Sequence, residues 1–118
     1  MLEKLFGNIV IEKIFFYLLR NEKAYPSLLS QALDVPLYSI QKASARLEDG
    51  GIVVAQQQGK TRVYEFNPRY PMLAELRAFL EKSYSFLPEE LRLKYYEAPI
   101  RRRPRRNRKI QMSLFACL

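Results

Sequence analysis

The chain has 118 residues and a formal net charge of +8, and nearly half of its residues are apolar or aromatic. That length suits one domain with a single core, and that apolar share excludes wholesale disorder. There is no histidine and a single cysteine, Cys117, which excludes an intrachain disulfide and a cysteine metal cluster and removes the usual general base at neutral pH.

Other function classes fall away on motifs. The four glycines form no phosphate-binding loop and no Gly-x-Ser-x-Gly elbow. No pair of carboxylates stands at metal-ligand spacing. An enzyme, a cofactor and a bound metal are therefore not expected. No apolar run approaches the ~20 residues of a membrane span, and Glu3 and Glu12 interrupt any signal-peptide pattern at the N-terminus. The expected location is cytoplasmic. The positive charge is unevenly placed: residues 1–99 carry 13 basic and 12 acidic side chains, whereas residues 100–118 carry seven basic side chains and no acid. A basic surface on the body must come from local clustering, because its net charge is close to zero.

In chain order, residues 2–20 read as a first helix. Ile11, Ile14, Phe15 and Leu18 suit one buried face, but Val10, Phe16 and Tyr17 add a second. A helix this apolar is either covered on more than one side, by a C-terminal helix or by a second subunit, or is a core helix with a few exposed apolar residues. Gly7-Asn8 marks a candidate true start, with Asn8 as the N-cap. Residues 21–25 read as a polar turn. Pro26 is placed at the first position of the next helix, where its missing N–H costs nothing, and Leu28, Leu29, Ala32 and Leu33 are its buried stripe. Asp34 and Val35 end it, and Pro36 starts a third helix.

In that third helix Ile40, Ala43, Ser44 and Leu47 follow the i, i+3, i+4, i+7 spacing of an inward face. Tyr38, Ser39, Gln41, Lys42, Ala45 and Arg46 face outward. Glutamine, arginine, lysine and serine are the side chains that read base edges and contact phosphates. A solvated outer face has the same composition, so this helix alone does not decide between them. Gly50-Gly51 ends it. Residues 52–56 and 61–66 then read as two strands joined through Gly59, with Tyr64 and Phe66 on one face and Thr61, Val63 and Glu65 on the other. The hairpin tip carries Gln58, Lys60 and Arg62 and no acid, which suits contact with phosphates.

The run from Leu5 to Leu87 resembles the winged helix-turn-helix transcriptional regulators of the ArsR/MarR-like kind. The likeness rests on Leu5-Phe6-Gly7, on residues 36–42, on Arg46-Leu47-Glu48-Asp49-Gly50-Gly51-Ile52, and on the wing at residues 59–67. It implies that the third helix reads the major groove and that the wing touches the backbone or minor groove. Tyr38, Ser39, Gln41, Lys42 and Arg46, then Lys60 and Arg62, are the residues so implicated. The metal-sensing members use cysteine and histidine ligands, which this chain lacks apart from Cys117.

A helix is expected from Pro71 to about Phe86. Met72, Leu73, Leu76, Phe79, Leu80, Ser83 and Leu87 form its helix–helix seam. The resemblance implies that this helix builds a homodimer with helix one; packing onto its own domain is the alternative. Residues 88–99 suggest one more short helix, docked by Leu91, Tyr95 and Tyr96. From Ile100 the chain is a basic tail, expected to be disordered when free. Its Arg101, Arg102, Arg103, Arg105 and Arg106 suit an arm lying along phosphates. The apolar residues 112–118 suit docking on the domain or on a partner.

The expected architecture is α+β, a winged helix-turn-helix with a two-stranded wing and C-terminal helices. Residues 1–87 form the domain, 88–99 an added helix and 100–118 the tail. The expected function is sequence-selective binding of double-stranded DNA by a homodimeric regulator, most readily a repressor. An RNA-binding module and a protein-interaction winged helix are the rival readings.

Overall fold

The computed structural model describes residues 1–97. Two helices open it, α1 (Glu3–Phe6) and α2 (Ile9–Asn21), followed by a short strand β1 (Lys23–Ala24). The helix-turn-helix is α3 (Pro26–Leu33) and α4 (Leu37–Asp49), and the wing is β2 (Val53–Gln58) and β3 (Thr61–Phe66). Helix α5 (Leu73–Ser85), a short α6 (Glu89–Leu91) and a π-helical turn at Arg92–Tyr96 complete it.

The single helix expected over residues 2–20 is two helices. Gly7 takes a left-handed backbone at φ 74° and closes α1, a conformation that glycine adopts without strain. Asn8 then caps α2, its Oδ1 accepting a 2.7 Å hydrogen bond from the Val10 N–H, which satisfies one of the donors orphaned at a helix start.

The stretch 21–25, expected to be a turn, holds the strand β1. Lys23 pairs with Glu65 and Ala24 with Tyr64 in antiparallel register, so the sheet has three strands in the order β1-β3-β2. Lys23 stands opposite an acid, a favourable cross-strand pair, and Ala24 is buried. Two residues are too short for a period-2 pattern to declare itself. In the hairpin, β2 runs two residues further than expected, and Gly59 at φ 64° takes the first of the two turn positions, where primed turns require a positive φ.

Between α3 and α4, Asp34 is left-handed at φ 57°. The Ser30 hydroxyl donates a 2.6 Å hydrogen bond to the Val35 carbonyl. This local tie spans the turn between the two helices. Leu29, Leu33, Ile40 and Leu47 from the two helices are all buried.

Helix α2 is the centre of the core, and both of its apolar faces are covered from within the domain. Phe15 meets Phe66 of the wing base at 5.9 Å between ring centroids and Phe6 of α1 at 5.3 Å. Phe16, wholly buried, makes edge contacts with Tyr84 of α5 at 5.7 Å and with Tyr96 at 5.6 Å. The second face is thus covered by α5 and the π-helical turn. Asn21 fastens that turn by donating from Nδ2 to the carbonyls of Tyr17 and Tyr96, each at 3.1 Å. Burial first, and then a hydrogen bond to Glu97, pushes the Tyr84 phenol above its ordinary pKa.

Helix α5 begins at Leu73 rather than Pro71, and its expected seam divides. Leu80, Ser83 and Leu87 are buried against the domain, while Met72 and Phe79 remain exposed. Met72 and Phe79 line an apolar groove of about 560 Å³ together with Leu5, Phe6, Ile52 and Tyr70.

Candidate nucleic-acid interface

The interface is built on α4. Its inward positions Ile40, Ala43, Ser44 and Leu47 are all buried, and this stripe fixes the opposite face toward solvent. Tyr38 is 71% exposed. Gln41, Lys42, Ala45 and Arg46 are exposed too, and Ser39 is half-buried. Lys42 carries its ammonium 5.9 Å from the centre of the Tyr38 ring.

Tyr38, Ser39, Lys42 and Arg46 converge on one cleft of about 230 Å³, which Asn8 and Val10 close from the other side. Gln41 is exposed on the same helix but does not line the cleft. Asn8 and Val10 belong to the start of α2. That helix end carries partial positive charge from its aligned peptide dipoles. The cleft therefore combines two cationic side chains, two hydroxyls and a helix N-terminus, a donor set suited to phosphate oxygens. Nothing in the sequence places Asn8 in this cleft: its capping role is legible, its neighbours are not.

The wing stands beyond the other end of α4. Arg62 on β3 donates from Nη2 to Glu48 Oε2 at 2.7 Å, and its guanidinium lies 5.8 Å from the Tyr64 ring centre. Tyr64 first, and Glu48 after it, hold the Arg62 pKa above its ordinary value, so the guanidinium stays charged. The acid-free tip seen in the sequence acquires an acid in three dimensions, because the last turn of α4 supplies Glu48. Lys60 is exposed at the turn itself. Gln57 is cross-strand to Arg62 and donates to the Gly59 carbonyl at 3.2 Å. The arginines expected to extend the interface, Arg101, Arg102, Arg103, Arg105 and Arg106, lie outside the described residues.

Among the described residues, no three His, Cys, Asp or Glu side chains are grouped so as to hold a metal ion. No helix among them is long and apolar enough to cross a membrane.

No family model matches the chain, and no curated protein matches it at a significant level. Among solved structures it is similar to the adhesin competence repressor AdcR of Streptococcus pyogenes, at 15% identity over 82% of this chain and 85% of that one, with a TM-score of 0.50. The apo form of a mutant ZitR from Lactococcus lactis aligns at 13% identity over 76% of this chain and 79% of that one, with a TM-score of 0.46. With the element order described above, the likeness to AdcR shows the fold: this chain is a winged helix-turn-helix of the α+β class.

Proposed function

We propose that the protein binds double-stranded DNA as a homodimer and regulates transcription, most readily by repression. The observation that carries this reading is the cleft on α4, where Tyr38, Ser39, Lys42 and Arg46 meet the N-terminal end of α2. A merely solvated helix needs no such convergence. In this reading α4 enters the major groove, Gln41 and Arg46 read base edges, and Lys60 and Arg62 reach the flanking backbone. Arg101, Arg102, Arg103, Arg105 and Arg106 add affinity for any sequence through counterion release. The likeness to AdcR, a repressor by name, supports the same reading.

A dimer is supported by apolar surface on α1 and α5. Leu5, Met72 and Phe79 are 66%, 56% and 42% exposed around one groove, apolar surface that the same groove of a second copy would cover. A two-fold protein also matches a palindromic site.

The test is selection of genomic fragments by the purified protein, followed by binding assays on the selected duplex and on a random one. Gln41→Ala and Arg46→Ala are expected to weaken the selected duplex by about 1–3 kcal/mol per lost base contact and to spare the random one. Removing residues 100–118 is expected to weaken both alike and to flatten the salt dependence. Equal losses on both duplexes for the α4 variants would sink the base-reading role. A selected palindrome with half-sites about one helical turn apart supports the dimer.

A further inference from the structure

A second cavity, of about 410 Å³, lies away from α4, between the start of α2, the α5–α6 connection and the π-helical turn. Its volume falls within the roughly 300–1,000 Å³ of small-molecule sites. Phe86, Leu91, Tyr95 and Tyr96 give it an apolar and aromatic wall, and Glu3 and Glu12 give it two carboxylates.

Glu12 is the unusual member. It is only 4% exposed, and a carboxylate so buried needs hydrogen bonds and a cation close by. It accepts from the Leu2 N–H at 2.7 Å and from the Met1 ammonium at 3.3 Å. The same ammonium is 2.8 Å from Glu3. Lys13 also lines the cavity but is committed elsewhere: its ammonium donates to the Leu33 carbonyl at 3.3 Å and lies 4.5 Å from the Tyr95 ring centre. Among the described residues the cation serving Glu12 is thus the Met1 ammonium, carried on a residue that is 50% exposed.

A primary ammonium therefore already sits against these carboxylates, with aromatic rings lining the same cavity. With that terminus displaced, the charged groups lining the cavity among the described residues are Glu3, Glu12 and Lys13, a net single negative charge. We propose that the cavity is a binding site for a small amphipathic monocation, a primary ammonium joined to an aromatic or aliphatic body, which takes the place of the Met1 ammonium. The ammonium pairs with Glu12 and Glu3. The body packs on Phe86 and Leu91 at the apolar wall of the cavity. This site is independent of the DNA-binding reading.

The probe is 2-phenylethylammonium, titrated into the full chain by calorimetry and by amide chemical shifts, with 2-phenylethanol and 3-phenylpropionate as comparators. The amine is expected to saturate, to shift the amides of Leu2, Ile9, Glu12 and Tyr95, and to bind about tenfold or more tightly than the alcohol, as loss of a charged hydrogen bond implies. The carboxylate is expected not to bind. Glu12→Gln is expected to remove the preference for the amine over the alcohol. Should Glu12→Gln fail to fold, Leu91→Lys is decisive, because it alters an exposed rim and should weaken the amine by competing charge. Equal affinity for amine and alcohol, amide shifts elsewhere on the protein, or absence of saturation would overturn the proposal. So would a folded Leu91→Lys protein that binds the amine unchanged.

Discussion

Replacing Glu48 with glutamine isolates the electrostatics of the wing. The Arg62 guanidinium is 2.7 Å from the Glu48 carboxylate, and both side chains are solvent-exposed, at 48% and 37%. Exposed pairs of this kind add little to folding, so the variant should melt close to the parent. Its effect on DNA should be larger. In the proposed complex the carboxylate lies where the wing would approach a duplex, and it cancels one of the wing's cations. Glutamine keeps the size and the hydrogen-bonding capacity but removes the charge, so that Arg62, whose charge Glu48 offsets in the parent, neutralises its phosphate in full. Each added phosphate contact steepens the slope of log Kobs against log salt by about 0.9. Between 50 and 200 mM salt the parent-to-variant affinity ratio should then change by about 3.5-fold, the fourfold salt change raised to that power. Fluorescence anisotropy on a labelled duplex at four or five salt concentrations measures the slope directly. Arg62→Ala provides the opposite arm, since it removes the same cation. An unchanged or shallower slope for Glu48→Gln would refute the placement of Arg62 against phosphate.

Three further outcomes test the fold. Asn8→Ala removes the cap that holds the Val10 N–H at 2.7 Å and should cost about 1 kcal/mol, lowering the melting midpoint by roughly 4–8 °C; an unchanged midpoint by differential scanning calorimetry would contradict the capping role. Phe16→Ala empties the centre of the Phe16–Tyr84–Tyr96 cluster and should cost about 3–5 kcal/mol in urea unfolding, whereas a loss below that range would mean the core collapses around the gap. The Met1 ammonium has its pKa raised above 8.0, first by its hydrogen bond to Glu3 and also by Glu12. Its stabilising effect is therefore complete below pH 8.0 and is lost as the pH climbs through the raised value. Thermal midpoints from pH 7 to 10 should fall more for the free N-terminus than for an Nα-acetylated chain, and parallel curves would argue against the link.

The helix-turn-helix was legible because each of its signals is local. Pro26 marks a helix start, Asp34-Val35-Pro36 a turn, and Ile40, Ala43, Ser44 and Leu47 repeat at helical spacing and are buried as that spacing requires. The alternation of Tyr64 and Phe66 likewise foretold the buried face of β3. What escaped was long-range. Strand β1 owes its existence to partners about forty residues away, and two residues carry no periodicity of their own. Gly7-Asn8 marked a candidate start for α2, but nothing in the sequence announced that the residues before Gly7 form a short helix of their own. The surplus of apolar residues on α2 was visible, but whether Phe16 faced a second subunit or its own C-terminal region depended on where Tyr84 and Tyr96 fold back. In the interface, the outward set on α4 followed from the helical period. Its meeting with Asn8 and the capture of Arg62 by Glu48 are tertiary facts.

The short strand β1 also sets how the wing can bend. It pairs with Glu65 and Tyr64 alone, so the hairpin is three-stranded at its base and two-stranded from Val63–Gln56 outward to Thr61–Gln58. Two-stranded ribbons twist more freely than wider sheets. The base, with Phe66 packed on Phe15, is anchored to the same helix that supports α4. The outer segment is thus a lever with its fulcrum at Tyr64 and one latch, the bridge from Arg62 to Glu48. In the proposed DNA complex, opening that latch would let the tip follow grooves of different width while α4 stays seated, with the wing as the compliant half and the helix-turn-helix as the stiff one.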